Sequence, residues 1–237
     1  QSTYEELSAD FAQLLARAAE LRGLQPVHEI PARLMGSIEL RGFLDRTLAD
    51  EYSRTDALVD QEVYILLDLL QESDDLYEIL LNLYGEQVIG LYDTDTRDLI
   101  VRSESFSLGP QERTTLIHEY THALQDQHHN LSQIYDQTEG NEDFSAAVSA
   151  LVEGDATLTE VLYVNSDISN EERHSMFENI DTPVFDAAPR VIRLGLLFPY
   201  QAGMEFVIAL RAQEQEQEWD MVNRAYSDPP RSTEQIL

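Results

Sequence analysis

The stretch that decides the reading is Gly109-Pro110-Gln111-Glu112-Arg113-Thr114-Thr115-Leu116-Ile117-His118-Glu119-Tyr120-Thr121-His122-Ala123-Leu124-Gln125-Asp126-Gln127-His128-His129. Pro at a first helical position gives up an N–H that has no partner there, so Gly109-Pro110 opens a helix predicted over 110–129. His118 and His122 stand four residues apart on one face, so both imidazoles can reach a single cation. Glu119 lies about 100° round the helix, on the flank of that pair. There it can take a proton from a water held by the cation without being a ligand itself. Leu116, Ile117, Tyr120 and Leu124 form one apolar arc, and Thr115, His118 and His122 occupy a separate one. His128 and His129 are expected to be exposed at the helix end, where cations suit the dipole.

A zinc site of this type takes a third protein ligand and keeps one position open for water. The best candidate is Glu153 in Ala150-Leu151-Val152-Glu153-Gly154-Asp155-Ala156, on a helix expected over 143–164. It shares a stripe with Ala146, Ala150 and Thr157, with Gly154 adjoining, and these small residues let another helix approach while the carboxylate projects into the gap. Glu139, Glu142 and Glu160 are the substitutes. Asp155 is expected to orient a ligand His through its far ring nitrogen. The developing oxyanion of a hydrolase needs a donor. Tyr200, in Phe198-Pro199-Tyr200 at an expected helix start, can supply one, or can be a Tyr that merely packs there. His174 is a weaker site candidate, and His28 beside Glu29 reads as a surface pair. No G-x-S-x-G, phosphate-binding glycine loop or Cys/His cluster occurs, so serine-hydrolase, nucleotide and redox chemistry have no footing.

Working outward, residues 1–24 read as an amphipathic helix stopped by Gly23. Val27–Met35, with Pro26 and Pro31 around it, is expected to be an extended edge strand. Ser37 is expected to cap a helix to about Glu51. A helix over Thr55–Gln71 should turn Leu58, Val63, Leu66, Leu67 and Leu70 inward, and one over Asp75–Tyr84 should end at Gly85. Residues 87–102 form a β-hairpin around Asp93-Thr94-Asp95-Thr96. Asp136–Asp143 reads as a polar loop, Asn165–Ala188 as irregular and Gln201–Glu218 as helix with a low-complexity, solvated end. The last residues are expected to fray.

The chain of 237 residues is 43% apolar, enough for a buried core, and is expected to form a single domain over 1–237. Its 45 acidic residues face 15 basic ones, all Arg, for a net charge of -30. That surface repels phosphate backbones and anionic lipid headgroups, so nucleic acid is not an expected partner. Cysteine is absent, which excludes disulfides and thiolate chemistry. No uninterrupted apolar run approaches the roughly 20 residues of a membrane span, so no transmembrane segment is expected. The chain opens on Gln1 rather than Met, which fits a removed leader.

The ordered motifs His118-Glu119-Tyr120-Thr121-His122-Ala123-Leu124-Gln125-Asp126-Gln127-His128 and Leu151-Val152-Glu153-Gly154-Asp155-Ala156 resemble a prokaryotic family of zincin-like metallopeptidases. The likeness continues in Gly90-Leu91-Tyr92-Asp93, Phe198-Pro199-Tyr200 and Pro229-Pro230-Arg231-Ser232-Thr233-Glu234-Gln235, and spans roughly residues 25–237. The family's pattern runs on into a His-Pro pair, whereas this sequence ends at Leu237. The resemblance implies an α+β, mainly helical zincin-like fold, with a small sheet over the HExxH helix whose edge can pair with an extended peptide. It implies Zn²⁺ held by His118, His122 and a gluzincin-type third ligand, Glu153. It also implies peptide or protein substrates and an exported or envelope-associated location. The expectation is zinc-dependent peptide hydrolysis with Glu119 as general base and Tyr200 assisting. The alternative is a non-catalytic metal-binding or structural subunit of an envelope-associated complex.

Overall fold

The β-prone run Leu99-Ile100-Val101 becomes the central strand of a small sheet. In the computed structural model, which describes residues 2–88, 90–94, 96–102, 108–178, 182–213 and 219–237, β1 is Ala32–Met35, β2 Gly90–Asp93 and β3 Asp98–Arg102. The order is β1-β3-β2, with β1 parallel and β2 antiparallel to β3. Leu91 stands opposite Ile100, and Leu34 opposite Val101. The first strand is therefore an edge strand, and the hairpin forms as expected. Leu99, Ile100 and Val101 are fully buried. Leu99 and Val101 face α1 (Ser2–Arg22) and α5 (Pro110–His129), while Ile100 meets Met35 and Leu40 of α2 (Ser37–Glu51) on the other side. The chain is thus mainly helical, with the sheet between helices.

α5 has the bounds its sequence predicts. Gly109 stands at its N-cap with Pro110 following, and Asn130, in a left-handed conformation, closes its end. Leu116, Ile117, Tyr120 and Leu124 join the core against α1 and the sheet, as the helical projection requires. α7 (Glu142–Asp167) lies along α5, and α10 (Arg190–Arg211) along α7. The small stripe of α7 does bring another helix close, but that helix is α10. A Cβ built on Gly203 would lie 2.0 Å from the Ala150 carbonyl oxygen, and one on Gly154 2.1 Å from the Gly203 backbone.

Several expectations need correction. The helix after Ser53 (α3, Arg54–Leu66) ends early, at Leu67, and Asp68 turns left-handed. It is rotated from the expected face: Leu58, Val63, Leu66 and Leu67 are exposed, while Ala57 and Leu70 are buried. Ala57 packs on Leu48 and Tyr77, and Tyr64 and Ile65 pack on Leu76, so those partners choose the buried side. Gly36, not Ser37, holds the N-cap position of α2. α4 (Leu76–Gln87) runs through Gly85. α6 (Leu131–Asp136) precedes the polar loop, and α8 (Asn170–Glu178) and α9 (Pro183–Ala187) occupy the stretch expected to be irregular. α10 begins at Arg190, well before Gln201, and carries Pro199 inside it. The carbonyl that Pro199 leaves without a helical partner belongs to Gly195, which is exposed and open to water.

α11 (Asp220–Ser227) is followed by a tail that does not fray. Pro229 and Pro230 are buried, Ile236 packs against Ala147 and Ala150, and Thr233 donates from its N–H and hydroxyl to Asp143 Oδ1 at 3.1 and 2.7 Å. The low-complexity Gln213–Glu218 run lies, beyond Gln213, outside the described residues. Among the described helices, α10 is long and apolar enough to cross a membrane by length and composition, which the absence of an unbroken run did not suggest. Here some of its apolar residues pack on neighbouring helices or line a cleft described below, while Leu194 and Ile208 are exposed.

Gly203→Ala should destabilise the fold by about 3 kcal/mol or more, because two backbones must separate to admit one methyl. Urea unfolding of the variant beside the parent measures it, and an unchanged midpoint would contradict this crossing.

Candidate metal centre

Helix periodicity sets His118 and His122 on one side of α5, and the α5–α7 packing brings Glu153 to the same point. His118 Nε2 lies 3.1 Å from His122 Nε2 and 3.1 Å from Glu153 Oε2. Glu153 Oε2 is 3.4 Å from His122 Nε2. For a tetrahedral ion with ligands at about 2.0–2.1 Å, neighbouring donor atoms stand about 3.3–3.4 Å apart. The triangle has the size of one face of such a tetrahedron. These three residues can hold a metal ion.

The far ring nitrogens are occupied by acceptors. His118 Nδ1 lies 3.1 Å from Glu160 Oε2, and His122 Nδ1 lies 2.8 Å from Gln125 Oε1. The Gln125 amide nitrogen donates to the Val152 carbonyl and to Asp155 Oδ2, both at 3.0 Å. Those two partners can only accept, so the Gln125 oxygen is the atom turned to His122. With a cation at the common point, each ring would keep its proton on Nδ1 and aim an Nε2 lone pair at the ion.

This assigns the remaining acidic candidates. Glu160, a substitute ligand in the sequence reading, instead supports His118 from behind. It stands two turns after Glu153 on α7, and that spacing was the available clue. Asp155 touches neither ligand histidine, contrary to expectation. It is fully buried, accepts from Tyr226 Oη at 2.8 Å and pairs with the Arg22 Nε at 2.5 Å. Its reach toward His122 passes through Gln125. Gln125 went unremarked, though it follows His122 by three residues on the same face. Arg22 also went unremarked; it is buried, bonded to Asn223 and stacked over Trp219. Glu139, Glu142 and His174 are exposed, as are His28 and Glu29.

Glu119 is held on the flank, where Tyr92 N–H donates to its Oε2 at 2.9 Å. β2 can come this near because residue 90 is Gly: a Cβ there would lie 2.8 Å from Thr115 Cγ2. A cleft of about 360 Å³ opens over His118 and Glu119, walled by Leu83, Val88, Phe185, Leu196 and Leu197. Tyr200 stands at its mouth, its ring centroid 6.1 Å from that of His118, in mid-helix and not at a helix start.

The electrostatics agree with the donor set. Burial alone would lower both ligand histidines, but Glu153, with Glu160 behind His118, raises them. Burial would raise Glu153, yet the two imidazoles hold it far below the usual carboxylate range. Burial pushes Glu119 upward, against the pull of the histidines. The pocket attracts positive charge, for which a cation and protons compete. No family model, curated protein or solved structure matches the chain.

His129 corrects one more expectation. It is half-buried and stacked on Tyr226, with ring centroids 4.2 Å apart and planes 4° apart. Burial, and then Arg22, push its pKa down to about 4. The unfolded chain takes a proton at His129 near pH 6.5, the folded chain near 4, so protonation favours unfolding across that interval. His129 contributes stability in full above about pH 6.5 and loses it as the pH falls toward 4. His129→Phe keeps the stack and should show a shallower fall in melting temperature over this range. Parallel curves for the two proteins would refute the assignment.

Proposed function

We propose that the chain is a zincin-type, zinc-dependent peptidase in which His118, His122 and Glu153 hold the ion. The observation that carries this reading is the convergence of three lone-pair donors within 3.4 Å, with both outer imidazole nitrogens already facing acceptors. Two nitrogens and one oxygen suit zinc, whose catalytic sites take three protein ligands and leave a fourth position open. When bound, the ion would polarise a carbonyl and acidify a water.

The remaining steps belong to the chain's own groups. Glu119 sits beside the ligands with one oxygen pinned by Tyr92 N–H, which leaves the other to accept a proton from the attacking water. Its raised pKa moves it toward the working range of a base and eases the later return of that proton to the leaving amine. Tyr200 keeps its phenolic proton, since burial and the nearby carboxylates push its pKa up. From the mouth of the cleft its hydroxyl can donate to the developing oxyanion. The apolar walls suit an extended peptide with a bulky apolar side chain, and β2, an edge of the sheet beside the cleft, offers backbone groups for it.

Glu119→Gln should retain stoichiometric zinc and lower kcat by about 10²- to 10⁴-fold. Tyr200→Phe should lower kcat by about 10²-fold with little change in KM. His122→Ala or Glu153→Ala should lose the metal. Elemental analysis and cleavage of a broad peptide library test these together. Stoichiometric zinc without any cleavage would instead support a metal-binding subunit.

A further inference from the structure

The histidines of the centre are backed differently. His118 has a carboxylate behind it, Glu160, whereas His122 has a neutral amide, Gln125. An amide can turn end for end. With its nitrogen toward His122 it would offer a donor to Nδ1 and drive the ring proton to Nε2, where the lone pair is needed. What prevents this is a pair of fixed acceptors on the other side, the Val152 carbonyl and Asp155 Oδ2. Asp155 is itself contacted from two sides. Arg22 occupies one of its oxygens, Tyr226 Oη binds the other, and all three side chains are buried. Arg22 is the last residue of α1, and Tyr226 belongs to α11.

We propose that Gln125, aimed by the Asp155–Arg22 pair, is the positioning residue that keeps the His122 proton on Nδ1, so that α1 is part of the metal centre. This rests on the metal-centre reading above but adds what that reading does not contain. The selectivity of the arrangement follows from hydrogen-bond arithmetic: two acceptors behind the amide and one donor in front admit a single orientation. Removing such a partner behind a ligand histidine commonly costs about 10- to 100-fold in metal affinity.

The test uses the full chain loaded with zinc and labelled with ¹⁵N in its histidines. In the parent protein the Nδ1–H protons of His118 and His122 should both appear as downfield resonances protected from exchange. Gln125→Met, similar in length but unable to accept, should lose the His122 resonance, retain that of His118 and bind zinc about 10- to 100-fold more weakly. Leu48→Ala, in the separate cluster with Ala57 and Tyr77, should lower the melting temperature and leave zinc affinity within about twofold, which separates aiming from mere stability.

Coordination of zinc by Nδ1 of His122 in the parent protein, or a freely exchanging Nδ1–H there, overturns the proposal even if the Met variant does not fold. So does a Gln125→Met protein that binds zinc as tightly as the parent. Failure of the parent to bind zinc removes the metal-centre reading itself, and this proposal with it.

Discussion

Three electron-pair donors cannot share a small, largely dehydrated space unless positive charge lies among them, because their mutual repulsion is poorly screened there. The packing of α5 on α7 forces His118, His122 and Glu153 into that situation. Other local features work around this constraint. Glu160 and Gln125 turn the ring lone pairs inward, and Tyr92 N–H holds Glu119 near the ligands but outside the triangle. Gly90 allows the sheet to reach the helix. The α7–α10 crossing at Gly154 and Gly203 fastens α7 from its other side.

The arrangement divides the carboxylates by environment. Glu153 meets two imidazoles and stays ionised; Glu119, buried and bonded to one backbone N–H, is pushed upward. The two acids thus sit in different environments, which suits the different tasks proposed for them, one to hold positive charge and one to exchange a proton. Asp155 forms a third case, paired in the core with Arg22. A buried ion pair of this kind adds little net stability compared with well-packed apolar groups. Its contribution here is orientation of the side chains around it.

What could be read from the sequence followed local rules. α5 was legible because Gly109-Pro110 marks its start and the histidines, Glu119 and the apolar arc all obey one helical period. Glu153 was legible as the carboxylate in a small-residue context, although the small residues serve the contact with α10. The failures share a cause: the partner lies far away in the chain. No periodicity reveals that Arg22 meets Asp155, or that Ala57 and not Leu58 turns toward Tyr77. α10 was shortened because Pro199 reads as a boundary, whereas exposed Gly195 supplies the relief that lets the helix pass through it. The tail was expected loose because Asp143, which holds Thr233, is ninety residues upstream.

The Arg22–Asp155 pair has a bearing on biogenesis. Arg22 and Asp155, far apart in sequence, must meet before the proposed aim of Gln125 at His122 is complete. A nascent or truncated chain lacking either partner would display the His-Glu-x-x-His helix without its final alignment. On the proposed reading, the competence of the centre waits for two distant stretches of chain to meet during folding.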